Sequence, residues 1–490
     1  MNELAIWAYR HSPVWLQNLG ITLDGVRYRE HLGGAFPQHV QEFREREIWS
    51  RQRLDDYVLA SLRGLLTRAA AEVPYYRDRW AAAGIDPTRL ARFEFPDLAS
   101  LPLTPKSDLR ENPESFLADS AGPPNRLRYY YTSGSTGTPI TVYCTCDDHR
   151  RFIAAREARS FAWAGASVRM PRSLIGGRMI LPHHDAPPPY YRWNWTERQV
   201  YFSGYHISRA HAPNYVEGLN RYRPQLLTGY ANAHYQLARF MLADSLRLDY
   251  RPRALVLSSE KLTSEMKSIL YATFGARAWE EFGAVENCVL ATECEHGRLH
   301  VSPDFGIVEI VDDDGRPVPP GRPGKVVCTG LANRTQPLIR YDLGDIASWS
   351  SESCPCGRDG LRVLEQIVGR LEDVIVGKNG QVTVRFHGLF ANLPNIAEGQ
   401  VIQEDLDHIR IRVVTRDGFN EDDVRTIRTR VAEERLGPLQ VTVERVPFIE
   451  RTERGKFRAV INRLPKETIE RALLSTAEQK QTLPRMTTDN

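Results

Sequence analysis

Two groups of residues in this chain carry chemistry in their types and spacing. The first is Thr132-Ser133-Gly134-Ser135-Thr136-Gly137-Thr138-Pro139. Its hydroxyls and backbone amides can wrap an anion, and its glycines permit close backbone approach and a left-handed φ. It is not a Walker loop, which needs a Lys-Ser/Thr pair and a following helix. Here the strand pattern Pro139-Ile140-Thr141-Val142-Tyr143-Cys144 follows, so the loop is predicted to be a hairpin-like lid. A plain Ser/Gly turn has the same composition, and the segment alone does not separate the two. The second group is Cys294, His300, Cys354 and Cys356. Thiolates two residues apart on a tight turn reach one metal, and a distant Cys and His complete a tetrahedral Cys₃His structural zinc site. Gly357 frees backbone amides to bond sulfur. A reducible disulfide or unrelated thiols are the alternatives.

Other candidates are weaker. Cys144 and Cys146 form a rival pair that reads as core packing, as do Cys288 and Cys328. His183-His184 is metal-like in type but lies in a Pro-rich loop, and reads as substrate-domain surface or pocket lining. The aromatic run Tyr190, Tyr191, Trp193, Trp195 reads as packing.

The elements that must position these groups show in the patterning. Residues 1–125 look mostly helical; Arg51 to Ala71 is a predicted helix with Leu54, Val58, Leu62 and Leu65 or Leu66 on one face, stopped by Pro74. Leu127–Thr132 and Pro139–Cys144 are strand candidates, and His149–Trp163 a helix. Ala254–Leu257 is a short buried strand of parallel-sheet type, followed by a loop, Ser258–Lys261, and a helix ended by Gly275. Alternating strands and helices predict an α/β fold. Residues 298–350 are strand-rich. After about Gly369 a small α/β unit begins, with strands near Arg410–Val414 and Val441–Val446 and a helix at Glu421–Arg435. The expected organisation is a large domain with a helical part (1–125) and a core (126–369), a C-terminal α/β domain (370–465) and a tail (466–490).

At 490 residues the chain exceeds one ordinary core. Lys plus Arg is 64 against 61 for Asp plus Glu, a net charge of +3, which gives no broad basic surface for nucleic acid. No stretch has the roughly 18–20 apolar residues that span a bilayer, and the opening residues lack a signal-peptide core. A cytoplasmic location is expected, and seven cysteines there are not a disulfide framework.

The loop then joins other segments into a resemblance. TSGSTGTP resembles the phosphate-binding signature of the adenylate-forming superfamily of acyl-CoA synthetases and related ligases. Glu281-Phe282-Gly283-Ala284-Val285-Glu286, Arg340-Tyr341-Asp342-Leu343-Gly344-Asp345, Gly369-Arg370-Leu371-Glu372-Asp373 and Arg451-Thr452-Glu453-Arg454-Gly455-Lys456 resemble its later segments, in the family order, over about residues 50–465. VPYYRDR near residue 73, LPLTPKSDLRE near 101 and PLIRYDLGD at 337 look like the phenylacetate–CoA ligase branch. The opening fifty residues look more like members associated with capsular polysaccharide biosynthesis, the CapK-like branch.

The resemblance implies ATP-dependent activation of a small aryl or acyl carboxylic acid to an acyl-adenylate, with pyrophosphate released, then transfer to coenzyme A. It implies that Thr132, Ser133, Gly134, Ser135, Thr136 and Gly137 hold the β- and γ-phosphates, and that Glu286 binds Mg²⁺. Phe282 would lie by adenine, with Glu281 and Gly283 shaping that slot and Ser259 and Glu260 forming its other wall. Asp345 would accept the ribose hydroxyls, Arg370 would reach ribose or phosphate, and Lys456 would stabilise the reacting phosphate. Glu372 sits at the family's hinge, and Tyr230 and Ala231 are the best candidates for the acyl pocket. Thr138 and Ile140 stand where many relatives carry a lysine, Phe282 replaces a commoner tyrosine, and Asn287 has no assigned role. An amine is the alternative acceptor, and an inactive nucleotide-binding scaffold the alternative of another class. The oligomeric state, a homodimer included, is left open.

Overall fold

The computed structural model describes residues 9, 12–131, 140–178, 180–181, 186–204, 206–370, 375–377, 382–383, 389–390, 393, 395–433, 439–450, 458–465 and 467–469. The expected mostly helical opening is present as α1 (Val14–Arg29), α2 (Phe36–Glu47), α3 (Arg51–Glu72), α4 (Pro74–Ala82) and α5 (Lys106–Glu111). In α3 the predicted face is the buried one, and it is Leu66 rather than Leu65 that completes it. The Ser50 hydroxyl caps its N-terminus by accepting from the Arg53 N–H, and Pro74 begins the next helix.

The strands β1 (Arg128–Tyr131) and β2 (Thr141–Cys144) pair antiparallel, with Tyr131 opposite Thr141. They bracket residues 132–139, which lie outside the described residues. The helix α6 (Cys146–Arg156) starts before the expected His149 because Thr145 and Asp148 form a capping box, and it runs into a π-helical turn at Glu157–Phe161.

The parallel half of the main sheet follows: β3 (Arg172–Gly176), β4 (Tyr191–Asn194), β5 (Gln199–Ser203), α7 (Ala212–Tyr222), β6 (Leu226–Tyr230), α8 (Ala231–Ala243), β7 (Ala254–Ser258), α9 (Ser264–Phe274) and β8 (Ala278–Gly283). Strands β5, β3, β6, β7 and β8 are parallel neighbours in that order, and β4 closes the edge antiparallel to β5. Gly275, at φ +67°, ends α9 as expected. Tyr190 and Tyr191 are buried and Trp193 stacks on Tyr222, as expected for packing, but Trp195 is solvent-exposed. It lies just past β4, beyond the end of the pleat that buries its neighbours.

The antiparallel half comprises β9 (Leu290–Glu293), β10 (Leu299–Val301), β11 (Gly306–Val311), β12 (Gly324–Gly330), β13 (Tyr341–Trp349) and β14 (Val363–Arg370). All twelve strands from β3 to β14 form one sheet, in the order β11-β12-β13-β14-β10-β9-β8-β7-β6-β3-β5-β4. The two halves share β8. Ala278–Glu280 pair parallel with β7, and Glu281–Gly283 pair antiparallel with β9.

A short pair, β15 (Ile375–Val376) and β16 (Val382–Thr383), precedes a second sheet of β17 (Ile396–Gln403), β18 (His408–Thr415), β19 (Gln440–Arg445) and β20 (Val460–Asn462), in the order β19-β18-β17-β20. Helix α10 (Glu421–Glu433) covers it, and Val401, Ile409, Ile411 and Val413 form a core of their own with Ile427 and Val431. Mixed α/β architecture is thus as expected. Among the described residues no helix is long and apolar enough to cross a membrane.

Candidate functional site

The candidate site lies where β8 leaves the sheet. After Gly283 the chain makes a tight turn in which the Asn287 N–H donates to the Ala284 carbonyl at 3.0 Å. Asn287 sits at φ +52°, a left-handed conformation that asparagine tolerates, so its role is to shape this turn. The turn buries Glu286. Its Oε1 accepts the Tyr341 hydroxyl at 3.0 Å and lies 3.5 Å from the Lys106 ammonium, which also donates to the Leu343 carbonyl at 3.2 Å. Burial, reinforced by the Glu286 charge, holds the Tyr341 phenol well above its ordinary value, so it stays a donor.

Lys106 is a residue to which sequence reasoning gave no role. It opens α5, and the segment before it docks on the start of β13. The Thr104 N–H donates to the Arg340 carbonyl at 2.8 Å, and the Asp342 N–H donates to the Thr104 carbonyl at 3.0 Å. The start of β13 is in turn held by the buried Arg340 guanidinium, which donates to Glu309 at 3.1 and 3.2 Å and to the Leu101 and Gly315 carbonyls. The signal was present in LPLTPKSDLRE, but nothing local to that motif says that its lysine meets Glu286.

Asp345 lies on β13, opposite Arg370 of β14 in the strand register. The Arg370 side chain is outside the described residues, as are Thr132, Ser133, Gly134, Ser135, Thr136, Gly137, Glu372 and Lys456. Phe282 is half-buried against the main core. Glu281 is buried and ion-paired with Arg156 at 2.8 Å, so its carboxylate is committed to α6. Ser259, at φ +71°, and Glu260 follow β7, and the Glu260 carboxylate accepts the Asn232 N–H at 2.8 Å at the N-terminus of α8. Tyr230 and Ala231 are at the same level, since Tyr230 of β6 is opposite Ser258 of β7. The residues expected to form the adenine wall and the acyl pocket are therefore neighbours at the carboxyl ends of parallel strands, where open α/β sheets bind ligands.

The cysteine–histidine group converges. Cys294 follows β9, His300 lies in β10, and Cys354 and Cys356 lie in the β13–β14 loop. Their ligand atoms all lie within 4.8 Å of one another. The Cys294 and Cys354 sulfurs are 3.7 Å apart, and the Cys356 sulfur is 3.4 Å from His300 Nε2. A tetrahedral zinc site with Zn–S arms of about 2.3 Å has edges of about 3.8 Å, so the spacing fits. His300 Nδ1 lies 3.0 Å from the Leu361 carbonyl, a partner that fixes Nδ1 as the protonated nitrogen and aims the Nε2 lone pair into the cluster. Burial lowers the His300 pKa, keeping the ring neutral as a ligand must be. All seven cysteines are free thiols. Cys144, Cys288 and Cys328 are buried in the core, while Cys146 begins α6 and joins no such cluster among the described residues.

With this geometry in hand, comparison with known proteins is direct. The chain aligns over its length with 2-hydroxyisobutyryl-CoA ligase, crystallised in the postadenylation state with 2-HIB-AMP. The TM-score is 0.66 at 22% identity, covering 89% of this chain and 94% of that one. The fold is that of the adenylate-forming CoA ligases. Residues 375–463 match the family described as CapK C-terminal domain. Protein CapK of Staphylococcus aureus is 24% identical over 429 residues, covering 85% of this chain and 90% of that protein. The phenylacetate–coenzyme A ligase of Thermus thermophilus is 28% identical over 355 residues, covering 68% of this chain and 74% of that one. The chain is a homologue of CapK and of the phenylacetate–CoA ligases, as its motifs led us to expect.

Proposed function

We propose that this protein activates a small aryl or acyl carboxylic acid with ATP, releasing pyrophosphate, and passes the acyl group to coenzyme A as a thioester. It is an AMP-forming ligase of the phenylacetate–CoA ligase type. The observation that carries the reading is the Glu286–Tyr341–Lys106 constellation past the end of β8, whose Tyr341 lies on β13, the strand that also bears Asp345. A carboxylate and a polyphosphate repel one another, so the reaction needs fixed cationic groups where they meet. Lys106 supplies one, and we assign it the phosphate-facing charge that the loop at 132–139 lacks.

Glu286 fits Mg²⁺. It is a hard oxygen ligand, Tyr341 fixes its Oε1, and its Oε2 takes no hydrogen bond among the described residues. The ion, when bound, neutralises phosphate charge. In this reading Asp345 accepts the ribose hydroxyls, Phe282 faces adenine, Tyr230 and Ala231 line the acyl pocket, and Lys456 joins the adenylation step. Residues from about 370 onward form the mobile domain, turning at Glu372 between the two half-reactions. Cys294, His300, Cys354 and Cys356 hold zinc as a staple between the β9–β10 and β13–β14 turns, away from the acyl pocket.

The test is acid-dependent pyrophosphate release across a panel of aryl and aliphatic acids, with and without coenzyme A, wild type beside Glu286→Gln. Release that requires one acid, is stimulated by coenzyme A and collapses in the variant supports the assignment. Acid-independent release, or release untouched by Glu286→Gln, refutes it.

A further inference from the structure

Helix α1 is turned inside out relative to an ordinary surface helix. Its polar and small residues face the protein. Asn18 Oδ1 accepts the Trp193 N–H at 3.0 Å, Thr22 Oγ1 accepts the Trp195 N–H at 3.2 Å, and the Ile21 carbonyl accepts from the Asn194 amide at 3.3 Å. Gly25 lies so close to β4 that a Cβ there would sit 2.4 Å from the Asn194 amide nitrogen. These contacts cover the exposed edge of the main sheet and fix the rotation of the helix. What remains outward is apolar: Trp15, Leu16, Leu19, Leu23 and Val26 keep between 38% and 65% of their surface in solvent.

The spacing of the outward residues is informative. Leu16, Leu19, Leu23 and Val26 recur at intervals of three, four and three, the a/d seam of a two-helix coiled coil, and Trp15 flanks it. Among the side chains described, none that is charged interrupts the seam from Leu16 to Val26; Asp24 beside it is paired with Arg178 at 2.7 Å. The five residues present on the order of 500 Å² of apolar surface, near the top of the range for the largest patch on a monomer. With about 60% of an interface apolar, two such faces would bury roughly 1,600 Å² in total, the standard size of a specific interface. A membrane surface fits less well. Interfacial helices carry a polar face in water, whereas the face opposite this seam presents Asn18, Thr22 and Gly25 to β4.

We propose that α1 is a self-association surface, and that its seam is covered by α1 of a second copy of this chain, packed across a two-fold axis. A single repeated stripe is complementary to itself under that symmetry. The interface lies at the β4 edge of the main sheet.

The test is sedimentation velocity of the full chain from 1 to 50 µM. The wild type is expected at twice 55.8 kDa. The double exchange Leu19→Glu/Leu23→Glu is expected to give monomer at all these concentrations, a rise in dissociation constant of at least 100-fold, with an unchanged far-ultraviolet spectrum. If that variant folds poorly, Leu16→Gln and Val26→Gln singly carry the same expectation at the ends of the seam, while Leu23→Ile retains the dimer. A wild type that is monomeric at 50 µM overturns the proposal, whether or not it floats with anionic lipid vesicles. So does a dimer that these exchanges leave intact.

Discussion

At the scale of single residues, the site is defined by one buried carboxylate and the groups that meet it. Glu286→Gln keeps the shape and the Tyr341 hydrogen bond but removes the charge. Pyrophosphate release is expected to fall by about 100-fold or more, with little change in melting temperature. Lys106→Met, which keeps the length of the chain and drops the cation, should cost about 10- to 100-fold in the same assay while leaving the far-ultraviolet spectrum unchanged. Normal turnover in Lys106→Met would show that the ammonium serves only to buttress Leu343. The zinc assignment has its own readout. Purified protein should contain one zinc per chain by elemental analysis, and Cys354→Ser should lose the metal and lower the melting temperature. The cysteine group was legible because two thiols in a polar turn have few other uses. The meeting of Lys106 with Glu286 was not, because it depends on Thr104 docking on a strand far along the chain, a contact with no local periodicity.

At the scale of elements, the parallel half shows how much a sequence can declare. The strand Ala254–Ser258 and the helix ending at Gly275 were readable from an apolar run, a hydrophobic face and a stop signal. The orientation of α1 was not, because the usual reading turns apolar faces inward and here Asn18, Thr22 and Gly25 take that side. Gly229 is a further constraint. It is the penultimate residue of β6, at φ +121°, and a Cβ there would fall 1.9 Å from the Ile175 carbonyl oxygen. Gly229→Ala should therefore cost about 3 kcal/mol or more in denaturant unfolding, or prevent soluble expression. The first turn of α8 adds a pH dependence. His234 is fully buried, and burial lowers its pKa to about 4, against a hydrogen bond to the Tyr230 carbonyl that pulls the other way. The folded state thus holds the ring neutral while the unfolded chain protonates it near pH 6.5. Its contribution is intact above that value and is lost as pH falls from about 6.5 toward 4, on the order of 1–3 kcal/mol. Melting curves at pH 5 and 7.5 should show a smaller difference in His234→Gln than in the wild type.

At the scale of the whole molecule, the two sheets have separate cores, and the proposed chemistry divides between them. The main sheet carries Glu286, Asp345 and the strand ends that face the ligands, and the proposed mobile domain carries Lys456. Lys456→Ala should therefore lower pyrophosphate release by about 100-fold or more, yet leave thioester formation from a chemically prepared acyl-adenylate within a few-fold of wild type. Equal damage to both half-reactions would argue against a domain that turns at Glu372. The small α/β unit after Gly369 was legible from the change of texture there, and the four-stranded sheet lies in it. The order of twelve strands in one sheet was not, since long-range pairing leaves no mark on the segments that pair.

The shared strand β8 has a consequence for how the protein is made. Its first three residues bond to β7, already synthesised, and its last three to β9, which is not. Tyr341 and Asp345 come later still, from a strand that needs β14 as its neighbour. A chain emerging from the ribosome can thus pair its parallel strands before Tyr341 and Asp345 have been made. In the proposed reading, the Glu286–Tyr341 pair and Asp345 join the site only after translation has passed residue 370, so ATP held through them selects for chains that have finished the sheet.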